Sequence, residues 1–298
     1  MAKKAEVIVA VVIAGSFLFF IVVMLVALSG IYSRESVSIK SFGKKVAIID
    51  VHGAINDSKD IISQIKRYSS DNSVPVILLH IDSPGGVVAP TQEIYQELKR
   101  AKEKNKKIVV SMGSLAASGG YYIACIGDSI LADPGTLTGS IGVVFSYPVV
   151  EKLFTKIGVN YEVIKSREFK DIGSPYRATT FRDREALQSV IDDVYDQFVS
   201  TIVENRRLPR GKVLQLADGR IFSGRQARQL GLVDELGGLE DAIKVAGRMA
   251  GIKGEPRTVR EIRRERISVL DLLGGKANPL LGMDYRDFFE PKLEYIYR

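Results

Sequence analysis

The chain has 298 residues and a formal net charge of +7, which is enough for one large domain or two small ones with a substantial core. Its single cysteine, Cys125, excludes an internal disulfide, and two histidines without a CxxC pair argue against a dedicated zinc site. Basic residues cluster only at 257–268, without interleaved aromatic residues, and no G-x-x-x-x-G-K-[ST] motif occurs, so neither nucleic acid nor ATP is an expected partner.

The N-terminal segment, residues 1–31, predicts a transmembrane anchor. No charge occurs over residues 7–30, and about 20 apolar residues suffice to span a bilayer as a helix. Two lysines precede this run and favour a cytoplasmic N-terminus. A cleaved signal peptide is the alternative, because the small-residue pattern Ala27-x-Ser29 is present, although such peptides have a shorter apolar region. We therefore expect a single-pass membrane protein whose remaining residues lie on the outer side of the membrane.

A polar linker over residues 32–45 precedes a segment in which short apolar runs alternate with amphipathic patterns. In chain order these are strand "VAIIDVHG", helix "DIISQIKRYSS", strand "VPVILLHIDS", helix "TQEIYQELKRAKEKNKK", strand "IVVSM" and strand "SILA". Strands that alternate with helices predict an α/β fold, with a mostly parallel sheet and helices on its faces. We assign this domain to residues 46–253.

A long amphipathic helix follows within "DREALQSVIDDVYDQFVSTIVENRR". One face carries the residues predicted to pack in the core, namely Leu187, Val190, Ile191, Val194, Phe198 and Ile202. The segment "DGRIFSGRQARQLGLVDELGG" predicts a turn, a helix and a last strand. The tail, residues 254–298, is basic at first and then apolar and aromatic, ending in "PKLEYIYR". This ending suggests a segment that covers a neighbouring subunit or enters its groove as a product-like peptide.

Two glycine pairs directly follow predicted strands, in "DSPGG" and in "SGG". Glycine lets the backbone approach a ligand closely, and backbone N–H groups in such turns can form an oxyanion hole. Ser118 lies where a strand turns into a helix, and "AASGG" resembles a nucleophile elbow in which Ala116 replaces the first glycine. Ser118 is therefore a candidate nucleophile, whereas "DSPGG" taken alone is equally well explained by an ordinary turn.

A nucleophilic serine needs a base. His52 and His80 lie in or beside apolar strands, where histidine is typically a core residue, so a lysine is the remaining candidate. Lowering a lysine pKa from about 10.4 to about 7 costs about 4–5 kcal/mol, which requires a purpose-built apolar pocket. The lysines of this region are Lys152, Lys156, Lys165 and Lys170. The first two fall near an exposed helix face, and context favours Lys170, in a loop after a predicted strand.

Five motifs in the same order resemble the signal peptide peptidase A family, the serine–lysine peptidases of family S49 with the Clp/crotonase fold. They are "HIDSPGG", "GSLAASGGYYIAC", "GTLTGSIGV", "SREFKDIGSPYR" and "DGRIFSGRQARQLGLVDELGG", and the resemblance runs from about Val46 to Gly251. It implies the following roles: Ser118 as nucleophile, Lys170 as general base, Ser140 orienting the lysine amine, and Gly85, Gly86 and Gly119 at the oxyanion hole.

The same resemblance implies a membrane-bound homo-oligomeric ring, octameric in size, that uses no cofactor or metal. Ser118 and Lys170 are expected to meet across a subunit boundary, and the expected substrates are signal peptides and other short or unfolded polypeptides. Two other functions fit parts of the pattern. A crotonase-type acyl-CoA enzyme also uses paired backbone N–H groups, but an outward-facing domain would lack coenzyme A. A non-catalytic membrane scaffold would bind peptides without turnover.

Overall fold

The computed structural model describes residues 15–21, 43–261 and 292–297. The chain divides into two compact units, residues 1–43 and 44–298. In the first unit, residues 15–21 are helical and exposed. No helix within the described ranges is long and apolar enough to cross a membrane. The rest of the predicted anchor, and nearly all of the linker, lie outside the described residues.

The second unit alternates strands and helices. The strands are β1 (Val46–His52), β2 (Val76–Ser83), β3 (Gly85–Val87), β4 (Lys107–Ala117), β5 (Ser129–Ala132), β6 (Leu137–Gly139), β7 (Val144–Ser146), β8 (Ile221–Ser223), β9 (Glu235–Leu236), β10 (Thr258–Arg260) and β11 (Lys292–Ile296). The helices are α1 (Lys59–Ser70), α2 (Val88–Glu103), α3 (Gly119–Ala124), α4 (Glu151–Lys156), α5 (Phe181–Arg206), α6 (Arg210–Leu216), α7 (Gly224–Leu230) and α8 (Leu239–Met249), and a 3₁₀ turn covers Glu168–Asp171.

The main sheet has the strand order β10-β1-β2-β4-β5-β9, and β6 pairs with the end of β4 while β8 pairs with β6. Every pair is parallel except β6 with β8. Parallel neighbours require crossover connections, which here are largely helical, and this explains the alternation in the sequence. The predicted α/β class with a mostly parallel sheet is therefore confirmed.

The central strands are buried on both faces of this sheet. On one face Ile49 and Ile77 belong to the larger core, against which α1, α2, α3 and α5 pack. On the other face Ile48 and Leu78 pack with helix α8. Burying one such side chain stabilises the fold by about 1.5–3 kcal/mol, so a row of them fixes the register of β1 against β2.

A second, smaller sheet lies at the carboxyl end of β2. Its order is β3-β11-β7, and both pairs are antiparallel. The central strand, β11, is therefore part of the C-terminal tail, between two strands that belong to the body of the domain. The tail was expected to cover a neighbouring subunit or enter its groove, whereas β11 pairs within its own chain, with strands about 210 and 150 residues away along the sequence.

Two local predictions were wrong. A strand was predicted ahead of Lys170, but residues 159–165 of that segment are irregular and exposed, because no neighbouring strand of the described chain pairs with them. In α5 the predicted core face is buried only in its second half, at Val194, Phe198 and Ile202. Val190 in the first half is 49% exposed, so the amino-terminal turns of α5 extend beyond the core.

Candidate active site

Ser118 occupies a sharp turn between β4 and α3. Its φ of +52° and ψ of −115° lie outside the usual regions for a non-glycine residue, at a cost of about 1–3 kcal/mol. Its N–H donates to the carbonyl of Gly139 at 2.8 Å, and its carbonyl accepts from the Tyr122 N–H at 2.8 Å. These two bonds hold the strained residue between β6 and the first turn of α3. This is the geometry of a nucleophile elbow.

The two glycine pairs meet at this elbow. A Cβ built on Gly85, whose φ is +97°, would lie 2.6 Å from the Gly119 nitrogen, so no larger residue fits there. A Cβ on Gly120 would lie 2.9 Å from the Ser83 carbonyl oxygen. The glycines therefore allow the turn after β2 to pack directly against the turn after β4.

The backbone N–H groups of these turns have different partners. The Gly85 N–H donates to the Ser83 hydroxyl at 3.1 Å, and that hydroxyl donates to the Gly53 carbonyl at 2.7 Å. Gly86 instead faces the tail strand, opposite Tyr295. Gly119 begins helix α3, where an N–H has no intrahelical acceptor. The Gly85 N–H is therefore already engaged within the domain. Ser83, a buried hydroxyl that positions Gly85, was not singled out from the sequence.

The tail strand β11 lies across the elbow. The Tyr295 carbonyl oxygen would be 2.0 Å from a Cβ on Gly85 and 3.1 Å from one on Gly119. Two residues after Tyr295, the Tyr297 N–H donates to the Pro84 carbonyl at 2.8 Å. The end of the tail thus runs as an extended peptide over both glycine turns, with one carbonyl pressed against them.

An aromatic pocket holds the Tyr295 side chain, which is fully buried. Its ring stacks on Tyr122 with centroids 5.2 Å apart and packs against Phe198 at 4.8 Å. Its hydroxyl donates to the Val194 carbonyl at 3.1 Å, and burial raises the pKa of this phenol. The pocket therefore accepts a large aromatic residue with a polar tip.

Ser140 lies beside the elbow, at the end of β6. Its φ is +48°, and its N–H donates to the Arg220 carbonyl at 2.8 Å. It lines an open cavity of about 680 Å³ together with Tyr195 and the end of the tail, Ile296 and Tyr297. Because β6 pairs with the end of β4, the structure brings Ser140 and Ser118 to the carboxyl ends of neighbouring strands.

Lys170 lies elsewhere, on a projecting segment. We call residues 147–177 the arm; Lys170 is exposed in its 3₁₀ turn. Within the described part of the chain, no hydrogen bond joins Lys170 to Ser118 or Ser140. Several apolar side chains of the arm are also exposed, including Ile164 at 97% and Ile157 at 62%. The structure thus brings Ser118, Ser140 and the three glycines together, but not Lys170.

Ion pairs surround the Lys170 turn. Arg177 and Lys165 hydrogen-bond to Asp171 and lower the pKa of that carboxyl to about 2. Arg177 also bonds to Asp183, whose pKa is lowered further. Cys125 is fully buried, and burial raises the pKa of its thiol to about 12. Among the described residues, no cluster of three or more His, Cys, Asp and Glu side chains could hold a metal ion.

Comparison with known proteins identifies a peptidase family. The model of Peptidase family S49 matches residues 100–253, and the Clp protease model matches residues 33–131, as expected for a Clp/crotonase-like α/β fold. A Synechocystis sp. protein named as a protease is 44% identical over 235 residues, which are 78% of this chain and 84% of that protein.

Two further relatives are similar over most of this chain. An Enterococcus faecium protein named as a signal peptide peptidase is 34% identical over 224 residues, 71% of this chain and 65% of the relative. Protease 4 of Haemophilus influenzae is 35% identical over 211 residues, which are 68% of this chain but 34% of that longer protein.

Proposed function

Because the chain belongs to peptidase family S49 and is a serine-type peptidase, we propose that it is an endopeptidase with Ser118 as nucleophile and Lys170 as general base. Its proposed substrates are signal peptides remaining in the membrane and other short or unfolded polypeptides. One observation carries this proposal. An extended segment of chain lies across the Ser118 elbow as an antiparallel strand, with a carbonyl against the glycine turns.

The tail suggests how a substrate would lie. A peptide in the place of β11 would pair with β3 and β7 through its main chain, a form of strand addition. Its scissile carbonyl would replace that of Tyr295, and the residues beyond would enter the cavity beside Ser140. The residue before the cleaved bond would occupy the aromatic pocket of Tyr122 and Phe198.

The chemical steps follow from these positions. The neutral amine of Lys170 takes the Ser118 proton as Oγ attacks the carbonyl carbon, and the oxyanion accepts hydrogen bonds from the Gly86 and Gly119 N–H groups. The protonated lysine then donates its proton to the leaving amine. Lys170 then takes a proton from a water molecule, which attacks the acyl-enzyme, and the proton returns to Ser118 as it leaves. We assign the donor role to Gly86 rather than Gly85, because Gly85 already donates to Ser83.

We further propose that Lys170 reaches Ser118 of a neighbouring subunit in a homo-oligomeric ring. The arm that carries Lys170 exposes apolar side chains that a second copy of the chain could cover. Covering the arm would also remove the lysine amine from water, and an apolar environment disfavours the charged form of an amine. Ser140, at the elbow, would then accept a hydrogen bond from or donate one to the lysine amine.

The membrane anchor belongs to the same proposal. Residues 7–30 carry no charge, and residues 15–21 among them are helical and exposed in the structure. An anchor with a cytoplasmic N-terminus would hold the peptidase domain at the outer surface of the membrane. There it would meet peptides that are already in the bilayer.

Mixing two inactive variants tests the proposal. We expect Ser118→Ala and Lys170→Ala each to lose at least about 10³-fold in kcat/KM on a quenched peptide. Their mixture, after reassembly, should recover part of the activity. The control Lys152→Ala changes another arm lysine and should stay active.

The other outcomes are equally informative. An inactive mixture with rings confirmed by light scattering argues for a dyad within one chain. Full activity of Lys170→Ala refutes the assigned base. Peptide binding without turnover by the wild-type chain would indicate a scaffold instead.

A further inference from the structure

The arm has almost no buried residues of its own. Within the arm, residues 147–177, only Gly173 is buried, and residues 159–170 are all exposed. An aromatic cluster of Phe154, Tyr161 and Tyr176 joins separate parts of the arm, with Tyr161 stacked on Tyr176 at 4.1 Å. Apolar packing therefore does little to fix the turn that carries Lys170, and polar contacts take its place.

Arg177 makes the central polar contacts. Its Nε and Nη2 donate to the two carboxylate oxygens of Asp171, at 3.0 and 2.9 Å. Its Nη2 also donates to Oδ1 of Asp183 at 3.1 Å, and its Nη1 donates to the other oxygen of that carboxylate. One planar guanidinium thus joins the residue next to Lys170 to the first turn of α5. Such forked pairs fix direction as well as distance.

The far end of this connection is rigid. Asp183 is 2% exposed and forms a capping box with Thr180 at the start of α5. At the other end of the connection, a backbone hydrogen bond holds Asp171 in place, since the Ser174 N–H donates to the Asp171 carbonyl at 3.0 Å. The bridge from Asp171 through Arg177 to Asp183 therefore helps to fix the position of Lys170 relative to the long helix, together with the pair of Glu168 and Arg182.

The bridge also controls the charge next to Lys170. Asp171 is the adjacent residue, and both of its oxygens are occupied, by Arg177 and by Lys165 at 2.7 Å. Glu168, the other acid of the turn, pairs with Arg182 of α5 at 2.6 Å. The charged groups around the Lys170 turn are thus Lys165, Arg167, Glu168, Asp171, Arg177, Arg182 and Asp183. Each carboxylate among them already has a cationic partner.

We propose that Arg177 is a positioning residue for the general base: it fixes the Lys170 turn on α5 and keeps the Asp171 carboxylate from pairing with the Lys170 ammonium. This inference rests on the proposed role of Lys170. Without Arg177, Asp171 has a free oxygen beside the lysine, and a nearby carboxylate favours the charged amine. The base is then neutral only at higher pH.

The test compares pH profiles of kcat/KM for the full chain and its variants. In Arg177→Gln we expect the acidic limb of the profile to move to higher pH by about one unit. At a fixed pH on that limb, kcat/KM should therefore be about tenfold lower than in the wild-type chain. The double variant Asp171→Asn with Arg177→Gln should lose that shift, because the competing carboxylate is gone. Arg260→Gln is the matched control, since Arg260 makes a two-bond pair with Asp50 at the sheet edge, 2.7 Å for each bond. The pH profile of Arg260→Gln should match that of the wild-type chain.

Each result decides one question. A loss of activity in Arg177→Gln at every pH, without movement of the limb, overturns the proposal, as does an equal shift in the double variant. A wild-type profile for Arg177→Gln overturns it as well. Full activity of Lys170→Ala would refute the assigned base itself, and so separates failure of the proposed function from failure of the positioning role. Thermal unfolding of every variant identifies any that does not fold.

Discussion

Replacing Tyr295 by alanine should release β11 from the groove and raise the rate of peptide cleavage. In the structure this side chain is fully buried, with two aromatic neighbours and a hydrogen bond from its hydroxyl to the Val194 carbonyl. Truncating a buried aromatic residue costs about 3–5 kcal/mol. Taking the lower value, the tail would bind about 10²-fold more weakly, since each 1.4 kcal/mol is a factor of ten.

The assay is kcat/KM on a fluorogenic peptide. A groove closed by its own tail binds an external peptide with an affinity reduced by the fraction that is open, so the gain from Tyr295→Ala should reach up to about 10²-fold. A chain ending at residue 291 should show the same gain. The synthetic peptide "PKLEYIYR" should then inhibit the truncated chain, and its tyrosine-to-alanine form at position 295 should inhibit it about 10²-fold less. Unchanged or lower rates in both variants would show that the tail does not compete with substrate.

Three other predictions concern the glycine turns, the buried thiol and the arm. A Cβ on Gly86 would lie 2.3 Å from the Ile55 carbonyl oxygen. Gly86→Ala should therefore lower both kcat and Tm, with a loss of about 1–3 kcal/mol in the free energy of unfolding. The control Gly135→Ala, with open space around the added Cβ, should change neither. Because burial raises the pKa of Cys125 to about 12, iodoacetamide should label this thiol only after unfolding; labelling of the native chain would contradict its burial. The pKa of Asp171 is lowered to about 2, so its stabilising ion pairs are complete above about pH 4 and are lost as the pH falls toward 2. An acid protease should therefore cut the arm faster as the pH falls through that interval. A cutting rate that stays constant, after correction for the protease's own pH dependence on an unfolded substrate, would refute this.

The parts of the fold that the sequence predicted correctly depend on local pattern. The strands β1, β2 and β4 are apolar runs buried on both faces, and the elbow at Ser118 follows from a strand, a serine and two glycines in succession. These features need no knowledge of distant residues. Ser140 was assigned only through the family resemblance, and the structure places it after β6, the strand that pairs with the end of β4.

The parts that escaped prediction depend on distant partners. β11 is a strand only because β3 and β7 flank it, and residues 159–165 are not a strand because the described chain offers them no partner. The donor assignment also required structure, since only the bond from Gly85 to Ser83 separates the two glycines of one pair. Likewise, the bridge through Arg177 joins residues whose pairing no periodicity reveals.

The width of the groove has a consequence for what the protein can cut. Neighbouring strands lie about 4.8 Å apart, so β3 and β7 are separated by about 10 Å, with room for a single extended chain. A helix is about 10–12 Å across with its side chains and offers no free main-chain groups to either strand. A helical peptide must therefore unwind before it is cut, and cleavage should favour stretches rich in glycine or β-branched residues. Stably folded proteins would not be cut, because a folded chain cannot enter the groove as a single extended strand.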